Sequence, residues 1–94
     1  MRNEREAAEA LALGALAWLA EDGDRLGAFM AASGAGPDDL RRLAGDPGFS
    51  GAVLDHILTD DSLVMAFCQE RGLPPDAPLR ARALLPGGDL PHWT

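Results

Sequence analysis

Residues 22–42 read DGDRLGAFMAASGAGPDDLRR, and this stretch decides the fold class. Asp22-Gly23-Asp24 offers an N-cap, Leu26, Phe29, Met30 and Ser33 trace one helical face, and Gly34 stops it. Gly36-Pro37-Asp38-Asp39 then puts Pro at a first helical position, with two acids against the positive end of the helix dipole. Arg41 and Arg42 stand toward the negative end. A short second helix and a two-turn third helix are therefore predicted, separated by a tight Gly-rich turn.

The same grammar extends in both directions. Toward the N-terminus, Asn3 followed by Glu6 resembles a capping box, which predicts a first helix from about residue 4 to about Glu21. Leu11, Leu13, Leu16, Trp18 and Leu19 spread over more than half of its circumference, as expected of a central helix. Ala10, Gly14 and Ala17 form a strip of small residues on the remaining side, suited either to a close helix approach or to water. Toward the C-terminus, Gly45 ends the third helix and Asp46-Pro47 opens a fourth with Phe49, Val53, Leu54, Ile57 and Leu58. Thr59-Asp60-Asp61 restarts the chain, and a fifth helix carries Leu63, Val64, Phe67 and Cys68 up to Gly72. Pro74-Pro75-Asp76 introduces a sixth that ends before Pro86. No segment alternates like a strand between hairpin turns.

The expected fold is all-α: a compact bundle of five or six short helices in one domain, residues 1–86, followed by a short tail, residues 87–94. Its expected core is Leu16, Leu19, Leu26, Phe29, Leu43, Phe49, Val53, Leu54, Ile57, Leu63 and Phe67. Sliding the chain by 38 positions superposes Leu16 on Leu54, Asp22 on Asp60, Ala28 on Ala66 and Phe29 on Phe67 without a gap. Gly34, Pro37, Asp38 and Arg42 likewise fall on Gly72, Pro75, Asp76 and Arg80, making eight identities over 27 positions. Two readings stay open: two pseudo-repeated three-helix units, or capping rules that independently favour the same residues. Both predict the same helix boundaries.

Composition narrows the function classes. Apolar residues make up 47% of 94, enough for a core and too many for intrinsic disorder. Eight basic residues, all Arg, face 15 acidic ones for a net charge of −7. With no Lys there is no Schiff-base chemistry and no phosphate-reading Lys of a nucleotide loop, and the acidic surface repels polyphosphate. A single cysteine excludes an internal disulfide framework and points to a reducing, cytoplasmic setting. The apolar run Leu11 to Ala20 is half of the roughly 20 residues a membrane span needs. Glu4, Glu6 and Glu9 stand where a secretory signal would be basic, so neither export nor membrane insertion is expected.

No catalytic constellation emerges. His56 precedes Asp60 at a one-turn spacing, but a predicted helix break separates them and further ligands are missing, so no metal and no cofactor is expected. Cys68 lies late in its helix, where the dipole does not favour a thiolate. Ser33, Ser50 and Ser62 sit near helix ends without a His and acid arrangement.

Gly34-Ala35-Gly36 with Leu40 resembles the turn of the helix-hairpin-helix family, which implies backbone N–H groups offered to a nucleic-acid phosphate. Asp38 and Asp39 depart from that pattern and oppose phosphate, although Arg41, Arg42, Arg80 and Arg82 supply nearby positive charge. Over roughly residues 7 to 86 the chain resembles a small bacterial family, domain of unknown function 3572. The resemblance rests on Ala7 to Leu13 running into Trp18-Leu19-Ala20-Glu21-Asp22, on Arg25-Leu26 and Phe29, and on Gly36-Pro37-Asp38-Asp39-Leu40-Arg41. Ala44-Gly45-Asp46-Pro47, Val53-Leu54-Asp55 and Gly72-Leu73-Pro74-Pro75 complete it. It implies a short helical cytoplasmic protein and assigns no activity and no site residue.

By elimination the expected function is a non-enzymatic protein-interaction or regulatory module, with an unnamed partner protein and a homodimer left open. Nucleic-acid binding through the Gly34-Ala35-Gly36 turn is the alternative. The tail adds Leu90 and Trp93 as candidate interaction residues after a Gly87-Gly88 joint. A terminal indole is costly to leave in water, so Trp93 is expected to seek a groove on its own domain or a pocket on a partner.

Overall fold

The computed structural model describes residues 3–44 and 46–85. Six helices lie among them, with no strand: α1 Glu4–Ala20, α2 Gly23–Ser33, α3 Pro37–Leu43, α4 Pro47–Leu58, α5 Asp61–Arg71 and α6 Ala77–Ala83. Side-chain caps set most of the starts. Asn3 Oδ1 accepts from the Glu6 N–H at 2.7 Å, and Asp22 accepts from the N–H groups of Asp24 and Arg25. Asp46 and Asp60 do the same for Gly48 and Ser62. Gly34 and Gly72 close α2 and α5 at φ 77° and 67°, left-handed values at which a side chain would be strained. No helix among the described residues is long and apolar enough to cross a membrane.

α1 and α4 form the central pair, α6 lies across both, α2 leans on both, and α5 packs on α4. The central approach is close because small residues line it. Ala8, Ala12 and Ala15 recur at i, i+4 and i+7 on α1 and are almost wholly buried, with Leu19 continuing the row. The strip Ala10, Gly14 and Ala17 faces the other way: Ala10 and Ala17 are exposed, and a methyl built on Gly14 would meet nothing within 4 Å. Of its two readings, the one toward water holds.

Leu19, Phe29, Val53, Leu54, Ile57 and Phe67 are buried as expected, and Leu16, Phe49 and Leu63 pack against them half-buried. Leu26 is half-buried, and the side chain of Leu43 lies outside the described residues. The core also takes Trp18, Cys68, Ala81 and Leu85. Trp18 is its largest fully buried side chain, whereas Leu13, expected on the same broad face, is 45% exposed. A helix with buried neighbours on only part of its circumference leaves Leu13 to solvent.

The 38-residue correspondence reaches into the packing. Asp22 and Asp60 cap with nearly the same backbone angles, and Gly34 and Gly72 close in the same conformation. Ala12 and Ser50, Ala15 and Val53, Leu19 and Ile57, and Phe29 and Phe67 are buried pair by pair. Capping rules do not require that agreement. Two of the ring contacts exchange partners between halves: Trp18 packs on Phe67 at 5.4 Å between ring centres, and His56, the counterpart of Trp18, packs on Phe29 at 5.2 Å, where Phe49 also reaches it at 5.8 Å. The correspondence fails at the third helix of each half. Pro37 begins α3, but the Pro74-Pro75 turn delays α6 to Ala77, and α6 enters the α1–α4 seam while α3 reaches the core margin through Leu40.

Candidate functional site

The residues singled out from the sequence do not form one site. Gly34 ends α2 and Gly36 caps α3, with the Ser33 hydroxyl accepting from the Ala35 N–H at 3.2 Å. The Gly36 N–H donates to Asp39 Oδ2 at 3.0 Å, so the backbone donor that a phosphate-binding turn would present is already held by a carboxylate of the same turn. That hydrogen bond, followed by the Arg42 guanidinium, draws the Asp39 carboxyl below its ordinary range. Arg42 pairs with Asp39, Arg80 reaches Asp76 at 3.8 Å, and Arg82 grips Asp55 at 2.6 and 3.2 Å. Arg41 is exposed on α3. Arg42, Arg80 and Arg82 thus serve three separate carboxylates. Leu90 and Trp93 lie outside the described residues.

Among the described residues no three of His, Cys, Asp and Glu gather as a metal site would require. Cys68 is buried, and desolvation followed by the charge of Asp76 pushes its thiol up, away from the reactive thiolate. Asp60 caps α5, and His56 on the last turn of α4 packs on Phe29 in a T-shaped contact.

That contact lies in an apolar groove of about 380 Å³ between α2 and α4. Phe29, Ala32 and Ser33 form its α2 wall, and Ala52, Asp55, His56 and Thr59 its α4 wall. The 38-residue correspondence explains why it is open. In the other half, Trp18 stands at the His56 position and fills the space with an indole packed on Phe67. Glu70, at the Ala32 position, accepts from the Trp18 indole N–H at 2.8 Å. Arg71 and Glu21, at the Ser33 and Thr59 positions, bridge α5 to α1 at 2.7 Å, and Arg25 covers the indole with its guanidinium carbon 4.2 Å from the ring centre. One side is thus sealed by four large side chains where the other has His, Ala, Ser and Thr. These exchanges were readable in the offset alignment, yet only the packing reveals that both sets line one kind of space.

A second groove, about 330 Å³, runs between α1 and α6 and is lined by Ala7, Ala8, Ala77 and Ala81, with Glu4 and Arg80 also on its walls. It presents no aromatic ring.

Against known proteins, the family model described as "Protein of unknown function (DUF3572)" matches residues 5–88. No curated protein and no solved structure matches the chain.

Proposed function

The chain belongs to the family of proteins of unknown function DUF3572, and we propose that it serves there as a non-enzymatic protein-interaction module whose docking face is the α2–α4 groove. The occupant is a peptide segment presenting an aromatic side chain. One observation carries this reading: the groove is lined by His56, Ala32, Ser33 and Thr59 where the other half packs the larger Trp18, Glu70, Arg71 and Glu21. The half-buried His56 ring and the exposed Ala32 and Ala52 offer an apolar surface above the buried Phe29, and Asp55 and Thr59 offer polar groups at the wall. The buried lone thiol fits a reducing, cytoplasmic setting.

Burying one indole supplies only about 2–3 kcal/mol, which by itself is millimolar or weaker, so affinity must come from the flanking peptide as well. The test is an NMR titration of the full-length Trp93→Ala protein with a short peptide containing tryptophan. Shifts should concentrate on Phe29, Ala32, Ala52 and His56. Saturating peptide with no localised shift would dismiss the groove as a docking face. Nucleic-acid binding is less well supported, because Asp39 occupies the Gly36 donor and the net charge is −7. A salt-dependent mobility shift of labelled duplex or single strand would reverse that preference.

A further inference from the structure

We infer that the peptide partner of the α2–α4 groove carries Lys or Arg about four residues from its apolar anchor, and that Asp24 and Asp60 select for that charge. This rests on the groove being a docking face and names the chemistry of what docks there. The groove belongs to a longer trench. Toward the start of α2 it shares His56 and Thr59 with a cavity of about 310 Å³ bounded by Asp24, Ala28 and Asp60. Toward α3 it shares Ser33 and Ala52 with one of about 340 Å³ that reaches Gly34 and Phe49.

Along the α2 rim, Asp24, Ala28 and Ala32 recur at four-residue spacing and all three are exposed. The rise of a helix puts Asp24 about 12 Å from Ala32, the reach of about four residues of extended peptide. Methyl groups keep this rim low between the apolar centre and the carboxylate, so a chain can lie along it.

The charges bordering the trench are not equally available. Asp39 pairs with Arg42 and Asp55 with Arg82, so the centre and the α3 end are neutralised from within the chain. Arg25 borders the α2 end, but its guanidinium is committed to the face of Trp18. No arginine among the described residues pairs with Asp24 or Asp60, and both are exposed. A cation arriving at that end therefore meets two carboxylates that no side chain of the molecule compensates, and an acidic segment is repelled there. The net charge of −7 acts in the same direction.

The test titrates the full-length chain, followed by NMR, with three peptides that have tryptophan at the centre and Lys, Gln or Glu four residues to either side. The Lys peptide should bind roughly three- to tenfold more tightly than the Gln peptide at low salt, and the Glu peptide more weakly than either. Salt of about 0.5 M should erase the ranking. Shifts should extend from Ala32 and Ala52 to Ala28, Asp24 and Asp60. Asp24→Lys should remove most of the preference, and Asp24→Asn should weaken it in the same direction without reversing a charge at the start of α2. Asp38→Lys makes the same charge change on α3, outside the trench, and should leave the ranking in place. Equal affinities of the three peptides for the native chain would overturn the proposal. So would equal effects of Asp24→Lys and Asp38→Lys, by assigning the ranking to net charge alone. If the Gln peptide shifts Ala32 and Ala52 but no ranking appears, only the charge selection is wrong; if no peptide shifts them, the docking face itself fails.

Discussion

At Glu70 a single acceptor satisfies the only polar atom of a fully buried indole. Removing it with Glu70→Ala leaves the Trp18 N–H without a partner and should cost about 1–3 kcal/mol in denaturant unfolding, whereas Glu70→Gln keeps an acceptor and should cost less. Equal losses in the two variants would mean that packing, not the hydrogen bond, is what Glu70 provides. Cys68 gives a pH signature. Burial raises its thiol above the ordinary value, so the folded chain keeps a proton that the unfolded chain releases. Its contribution is therefore fully present below the unfolded thiol pKa and is lost as pH rises through and beyond it. Thermal unfolding across the alkaline range should show a decline that Cys68→Ala reduces, and thiol reagents should leave the native chain unmodified at neutral pH. Rapid labelling of the native protein at neutral pH would contradict this.

Among the elements, α1 and α3 make opposite demands. The packed face of α1 is its alanine row, so Ala12→Leu should strain the seam with α4 and α6 by about 1–3 kcal/mol, while Ala10→Leu, pointing to water, should leave the unfolding midpoint nearly unchanged. The reverse order would restore the Ala10, Gly14 and Ala17 strip as the contact face. Both strips consist of small residues at helical spacing, and composition does not distinguish them. Only the positions of α4 and α6 do. The two-turn α3 depends on Asp39, which accepts from the Gly36 N–H and pairs with Arg42. Its carboxyl is drawn down, so this support is complete above the ordinary carboxylate range and disappears as pH falls through the lowered value. Amide exchange in α3 should quicken in acid before exchange in α1 or α4 does, and Asp39→Asn should remove that difference.

For the whole molecule, α6 is the element that ties the halves together, and Arg82 is its anchor. Its side chain is 16% exposed and bonded to Asp55, and it lies where a methyl on Gly51 would come within 3.0 Å of Nη1. Arg82→Ala should cost about 1–2 kcal/mol, because the well-formed contact is discounted by the exposure of Asp55 while the buried stem adds packing. The melting temperature should fall by several degrees, with amide exchange rising in α6 first. An unchanged melting temperature would show α6 to be held by Pro78, Ala81 and Leu85 alone. By itself the sequence determined the all-α class and nearly all helix boundaries of a bundle expected to hold five or six helices, because Asn3, Asp22, Asp46, Asp60, Gly34 and Gly72 act on backbone groups within four residues of themselves. It also determined most of the core through apolar spacing, and the family through the strings that resemble it. The tertiary structure alone decided which alanine strip of α1 is buried, that Trp18 rather than Leu13 fills the centre, and that α6 rather than α3 enters the seam. It alone opened the groove at Phe29 and His56, because a vacancy is a property of side chains from helices brought together across the chain, and no local rule acts over that distance.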